Sequence, residues 1–239
     1  MALASLPFVR YVQLMAGTTG PMLRDSQIRT FLVMLAVLVG VMTMFQVAAN
    51  ATPLETAFRE TIFNVTSIIT GTGYASTDYQ LWGPFAVVLF FFVGLIGGCA
   101  GSTSCSIKVF RYQLLFASIK AQIGKIHSPH GVFTPRLYGR RVSEDVLSSV
   151  MVFFVAFVVS IGVLAVLLSA TGLDTITSVS GAASALANIG PGLGEVIGPE
   201  GNYSSLNDTA KWLLSAGMLI GRLELMAVFV MLTRNFWRV

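Results

Sequence analysis

The sequence predicts an all-α membrane protein built from two tandem repeats, each a membrane span, a short re-entrant helix and a second span. Three observations carry that expectation. Of 239 residues, 54% are hydrophobic and 11% charged, with a mean hydropathy of +0.76, whereas soluble proteins carry about 25% charged residues. Four apolar stretches, 30–49, 81–100, 146–170 and 212–233, reach the roughly 20 residues a spanning helix needs. Two shorter apolar segments, each with a glycine-rich strip, occupy matched places between them. Such a composition excludes a nuclease, a kinase or a soluble oxidoreductase.

Residues 1–27 read as the end of a preceding helix and a cytoplasmic connection. Residues 1–16 are too short to span with Arg10 among them, and they lack a signal peptide's basic head and cleavage site. Residues 28–120 form one repeat, with its span at 30–49, its half-helix and strip at 57–74, and a broken span over 81–120. A basic connection covers 121–145. The second repeat occupies 146–239, with spans at 146–170 and 212–233 and its half-helix and strip at 174–193.

Charge sets the expected orientation. Arg10, Arg24 and Arg29 precede the first span. Lys108, Arg111, Lys120, Lys125, Arg136, Arg140 and Arg141 lie between the second and third, and Arg234 and Arg238 follow the fourth. By the positive-inside rule both termini and the middle connection face the cytoplasm. Glu55, Glu60, Asp78, Asp174, Glu195, Glu200 and Asp208 fall on the outer side, where acidic charge concentrates cations. The charge left over by the orientation rule would give the same distribution without any role in transport. The isoelectric point near 9.3 reflects the basic inner side rather than a nucleic-acid face.

The outer connections are the informative parts. One contains Thr70-Gly71-Thr72-Gly73-Tyr74 and the other Asn188-Ile189-Gly190-Pro191-Gly192, each after room for about three helical turns. Neither segment can cross about 30 Å of hydrocarbon and return. Aligning Ser67 with Ser184 (184 − 67 = 117) sets Gly73 opposite Gly190. One such strip is an ordinary turn between helices, but two at matched positions are an architectural repeat. Irregular backbone at membrane depth survives only where it lines a water-filled path or is buried in protein. Glycine reaches the angles that turn successive carbonyls to one side, and those carbonyls can replace the water shell of a small cation. The half-helix before each strip aims the negative end of its dipole at the same place.

The second span runs into Gly97-Gly98-Cys99-Ala100-Gly101-Ser102-Thr103-Ser104-Cys105-Ser106. Glycine and hydroxyl residues are poor helix formers, so the helix is expected to break there into an intramembrane loop, placed to gate a path. Close helix packing by small residues is the alternative. Arg222 lies within the fourth span, where a central arginine costs at least about 2.5 kcal/mol and should face a polar interior. Glu224 does not share its helical face, which leaves the loop's hydroxyls and carbonyls as partners. His127 and His130 read as solvated, and Cys99 and Cys105 as neither a disulfide nor a metal site. The Asn-X-Ser/Thr matches at Asn50, Asn64, Asn202 and Asn207 carry no inference. No nucleophile–base arrangement suggests an enzyme, and no cofactor is expected.

The strip at 70–74, the run Gly97 to Ser104 followed by Ile107-Lys108-Val109-Phe110-Arg111, and the stretch 188–194 closely resemble the Trk/Ktr-type potassium transporters, in particular the bacterial TrkH-like membrane subunit. The resemblance covers nearly the whole chain. It implies four repeats around a pseudo-fourfold, potassium-channel-like pore, of which this chain resembles the last two, so that an N-terminal half with two further repeats is missing. It further implies that Gly73 and Gly190 are filter glycines, that Gly97 to Ser106 is the gate loop with Arg222 its basic partner, and that K⁺ passes inward across the bacterial inner membrane, with Na⁺ open as a second ion. The resemblance implies that subunits pair as homodimers and bind a cytosolic nucleotide-binding regulatory subunit; Lys120 to Arg141 is a candidate docking face, although basic inner loops need no partner to explain them. The chain departs from the family at Ser104-Cys105-Ser106, where more glycine is usual. The rival readings are a secondary ion-coupled solute transporter, which needs a cavity of polar side chains, and a non-conducting fragment or scaffold.

Overall fold

A computed structural model describes residues 1–128, 131, 133–137, 140–223, 226–231, 233 and 236–237. His130, Glu224, Arg234 and Arg238, named above, lie outside the described residues. The chain opens with a 3₁₀ turn, Ala2–Ser5, and two short helices, α1 (Phe8–Met15) and α2 (Gly20–Arg24). Helix α3 (Ser26–Asn50) starts where Asp25 caps it, Oδ1 accepting from Gln27 N at 2.9 Å. The same carboxylate takes Arg10 through Nε and Nη2 at 2.9 and 2.7 Å, which ties the opening segment to the first long helix. At 1.5 Å per residue α3 is about 37 Å long, enough to cross a bilayer.

After Pro53 the chain reverses into α4 (Leu54–Ile69), then a non-helical strip, a 3₁₀ turn at Tyr79–Trp82, and α5 (Pro84–Gly94). Proline near the start of α5 costs no hydrogen bond, because that amide has no partner within the helix. Helix α6 (Val109–His127) resumes after a loop. The basic connection carries a short antiparallel pair, β1 (Arg136–Leu137) and β2 (Arg140–Arg141), a small exception to an otherwise helical fold. The order then repeats: α7 (Glu144–Ala170), α8 (Thr175–Ala187), a strip, a 3₁₀ turn at Tyr203–Ser205, α9 (Asp208–Arg222) and α10 (Met226–Met231).

Each long helix packs along its own half-helix, α3 on α4 and α7 on α8, while α5 meets α8 across the two repeats. Burial follows from that arrangement. Every residue of α8 from Ser180 to Ala187 is buried, whereas only 28% of the apolar windows of α3 and α7 is. Val155, Val158, Val163 and Val166 of α7 point outwards. An apolar surface of that extent is stable against lipid, not water.

Two expected spans differ from the sequence reading. The second, expected over 81–100, is helical only to Gly94, because Leu95, Ile96 and Gly97 enter a bridge: Ile107 N donates to Leu95 O at 3.2 Å and Gly97 N to Ile107 O at 2.9 Å. In the fourth, expected as one run over 212–233, α9 ends at Arg222 with Leu223 in a turn, and 224–225 lie outside the described residues.

Close approach of α9 to α8 and α7 depends on glycines one turn apart. A Cβ on Gly221 would lie 2.0 Å from Leu186 O, and one on Gly217 2.6 Å from Leu164 Cδ2. Gly40 of α3 faces open space. Gly221→Ala should therefore lower stability by about 1–3 kcal/mol through overpacking, while Gly40→Ala should be neutral or gain up to about 1 kcal/mol of helix propensity. Thermal melts of the detergent-solubilised chain will show whether the two variants move in these opposite directions.

Candidate functional site

The two strips share backbone geometry at the same register. Gly71 and Gly73 have φ of 67° and 78°, and Asn188 and Gly190 have 53° and 118°; each pair is related by the offset of 117 that relates Ser67 to Ser184. Thr72 N donates to Ser67 O at 2.9 Å, and Ile189 N to Ser184 O at 3.1 Å, another pair at that offset. The first strip amides thus turn back into the last turn of the half-helix. Asn188, the only non-glycine among these four, tolerates the left-handed region, and its Nδ2 donates to Met218 O at 3.1 Å.

The strips abut. A Cβ on Gly73 would fall 2.1 Å from Ile189 O and 3.1 Å from Pro191 Cδ, and one on Gly190 3.6 Å from Gly73 Cα. Among the described residues, the main-chain oxygens of Thr70, Gly71, Thr72, Gly73, Asn188 and Ile189 accept no hydrogen bond. Gly190 O differs, accepting the Tyr203 hydroxyl at 2.6 Å. Burial pushes that hydroxyl above the usual phenol value, so Tyr203 stays a donor at neutral pH. Pro191 and Gly192 turn away into the outer connection, Gly192 N donating to Ile197 O at 2.7 Å. The Tyr74 side chain is exposed.

Two polar side chains inside the half-helices hold the chain as it leaves each strip. Asn64, fully buried, accepts from Ser76 N at 3.0 Å and donates to Ser76 Oγ and Thr77 Oγ1. Ser180 Oγ accepts from Leu193 N at 2.9 Å and donates to Leu193 O at 3.1 Å. Sequence reasoning missed both; the only available signal was a polar residue mid-way along an apolar half-helix.

The loop from Gly97 to Ser106 lies directly against the first strip: a Cβ on Gly71 would approach Cys105 N to 4.0 Å. Ser106, at φ 59°, bonds Gly94 O at 2.9 Å and Ala187 O at 3.1 Å, joining the end of α5 to the end of α8. Ser104 Oγ accepts from Gly98 N at 2.9 Å and Ser102 Oγ donates to Cys99 O at 2.7 Å. The opening segment straps the other side. Cys99 N donates to Ser5 O at 2.9 Å, Thr103 N to Ala4 O at 3.2 Å, and Phe8 N to Gly101 O at 3.0 Å; Ala100 N donates to Gln27 Oε1 at 3.0 Å. From α9, Arg222 Nη1 reaches Cys105 Sγ at 2.8 Å and Thr103 O at 3.4 Å. Between loop, α6, α7 and α9 is a cavity of about 250 Å³ lined by Ser102, Cys105, Lys108, Arg111, Phe153 and Arg222 among others. The Arg111 guanidinium stacks 3.8 Å above the Phe153 ring.

Among the described residues, no three His, Cys, Asp or Glu side chains gather where they could hold a metal. The six unpaired main-chain oxygens of the strips lie at and just beyond the carbonyl ends of α4 and α8.

Residues 19–238 match the family model described as TrkH, cation transport protein. The chain is 43% identical over its whole length to the Trk system potassium uptake protein TrkI of Halomonas elongata, covering 48% of that protein. It is 35% identical over 90% of its length to the Trk system potassium uptake protein TrkH of Vibrio parahaemolyticus, covering 44% of it. The crystal structure of the potassium transporter TrkH from that organism superposes over 99% of this chain and 51% of its own, with a TM-score of 0.92 at 32% identity. The chain thus spans about half the length of the relatives it matches.

Two outcomes follow from this geometry. Arg222→Gln should speed amide hydrogen exchange across 97–106 while exchange in α8 stays unchanged; equal rates in both proteins would show that the guanidinium does not restrain the loop. Asp174 caps α8 through Thr177 N at 3.1 Å, and hydrogen bonding from Thr177 holds its carboxyl below the ordinary value. The cap therefore stabilises above the unfolded carboxyl value near 4 and is lost as pH falls through the lower folded value. Asp174→Ala should cost about 1 kcal/mol at pH 7, and in melts taken at successively lower pH the gap should close below about pH 4.

Proposed function

The chain belongs to the TrkH family of cation transport proteins, and from that premise we propose that it supplies half of a pore for K⁺ uptake across a bacterial inner membrane. The observation that carries the reading is the pair of abutting strips whose carbonyl oxygens, at matched register, accept no hydrogen bond. A cation entering from water must have its shell replaced at little cost, and main-chain oxygens held by a rigid scaffold do that. In this reading Thr70 to Tyr74 and Asn188 to Gly192 form two of four filter strips, with Thr70 to Gly73, Asn188 and Ile189 supplying the oxygens and Gly73 and Gly190 allowing the approach.

The loop Gly97 to Ser106 lies across the path on the inner side and acts as the gate. Arg222 restrains it and places a positive charge beside the path, a barrier to cations while the loop is in place. Two strips cannot encircle an ion, so the remaining repeats come from an N-terminal half, and the whole subunits pair as homodimers. Both termini and the basic connection 121–145 face the cytoplasm, where that connection receives a nucleotide-binding regulatory subunit.

Rubidium uptake into liposomes tests the reading. The chain alone should give none, and the chain with an N-terminal half should give flux that Gly73→Ala abolishes, since its Cβ would sit 2.1 Å from Ile189 O. Flux that requires an organic solute would instead mark a coupled solute transporter. No flux from the reconstituted pair would mark a scaffold.

A further inference from the structure

Gln80 lies outside both strips, in the 3₁₀ turn of the first repeat, yet its carboxamide reaches the second. Oε1 accepts from Gly194 N at 2.6 Å and Nε2 donates to Gly194 O at 3.3 Å. Gly194, at φ 96°, follows the second strip by two residues. Gly198 leaves room for the amide: a Cβ there would lie 2.2 Å from Gln80 Nε2.

The turn that presents Gln80 is itself fixed. Asp78 Oδ1 accepts from Gln80 N at 2.9 Å. Tyr79 is 1% exposed and lies with its ring centroid 4.2 Å from that of Phe90. The chain leaving the second strip is therefore held on two sides, by Ser180 from its own repeat through Leu193 and by Gln80 from the other repeat through Gly194. Of these two contacts only that of Gln80 comes from the other repeat, so it bears on the distance between the strips rather than on the shape of either. That distance sets how closely the carbonyls of one strip approach an ion held by the other, and both cavity size and carbonyl field contribute to choosing between K⁺ and a smaller cation.

We propose that Gln80 is a positioning residue for ion selectivity, its carboxamide setting the spacing of the two filter strips through Gly194. This rests on the reading of the strips as the ion path. The test is Gln80→Glu in the chain reconstituted with an N-terminal half, measuring rubidium and sodium flux at varied external pH. An ionised carboxylate accepts from Gly194 N but has no hydrogen for Gly194 O, whereas the protonated acid matches the amide in shape and restores both bonds.

At pH 7.5 the variant should conduct rubidium with its rubidium-to-sodium ratio lowered by about tenfold, on the scale of one lost buried hydrogen bond. The ratio should recover as external pH falls towards about 5, where a carboxyl raised by partial burial protonates. The parent ratio should stay flat over that range. Gly198→Ala, which crowds the amide without changing it, should lower the ratio at every pH. An unchanged ratio in Gln80→Glu at pH 7.5, or a lowered ratio that acid does not restore, overturns the proposal. If the parent pair carries no rubidium, the ion-path reading falls first and this proposal with it.

Discussion

The whole arrangement depends on one constraint: backbone that leaves helical bonding inside a membrane must be enclosed by protein or must line a polar path. Here two half-helices stop part-way and release their chains as strips. Everything around them serves to enclose that irregular backbone. The long helices α3 and α7 shield the half-helices from outside, α5 and α9 shield them from the other side, and burial is deepest in α8. The long helices α3 and α7 leave most of their own apolar surface outward, with only 28% of each apolar window buried.

Enclosure at that density requires close backbone approach, and glycine supplies it at the decisive contacts. Gly73 meets Ile189, Gly94 meets the Ile189 side chain, and Gly221 meets Leu186. These three positions bring the first strip to the second, α5 to the second strip, and α9 to α8. Polar side chains then fix what the glycines allow. Asn64, Ser180 and Ser106 each bond main-chain groups, Asn64 two side-chain hydroxyls as well, so the strips and loop are held largely through their backbone while six strip carbonyls stay unpaired.

Part of this was legible in the sequence for a physical reason. Positions that need positive φ favour glycine, so a repeat in conformation tends to leave a repeat in composition, and Gly73 and Gly190 could be aligned by residue type alone. Position 188 needed the structure, because an asparagine opposite Gly71 does not announce the same backbone angle. Gln80, Asn64 and Ser180 were illegible because their roles depend on contacts across the fold. Asn64 even stands in an Asn-X-Thr triplet, a pattern that suggests a surface residue, although it is fully buried. The early end of α5 at Gly94 was hidden too: Leu95 and Ile96 are good helix formers, and only their bridge with Ile107 stops them. The pairing of β1 with β2 joins arginine-rich dipeptides with no alternation of apolar residues to mark them as strands.

The strap from Ala4 and Ser5 onto residues 99–103 gives the loop a mechanical tether beyond its own repeat. Because the carbonyls of two adjacent residues take the amides of Cys99 and Thr103, the loop cannot swing aside while the stretch before Pro7 keeps its place. Displacement of that stretch is instead transmitted to the loop as a pull on its main chain.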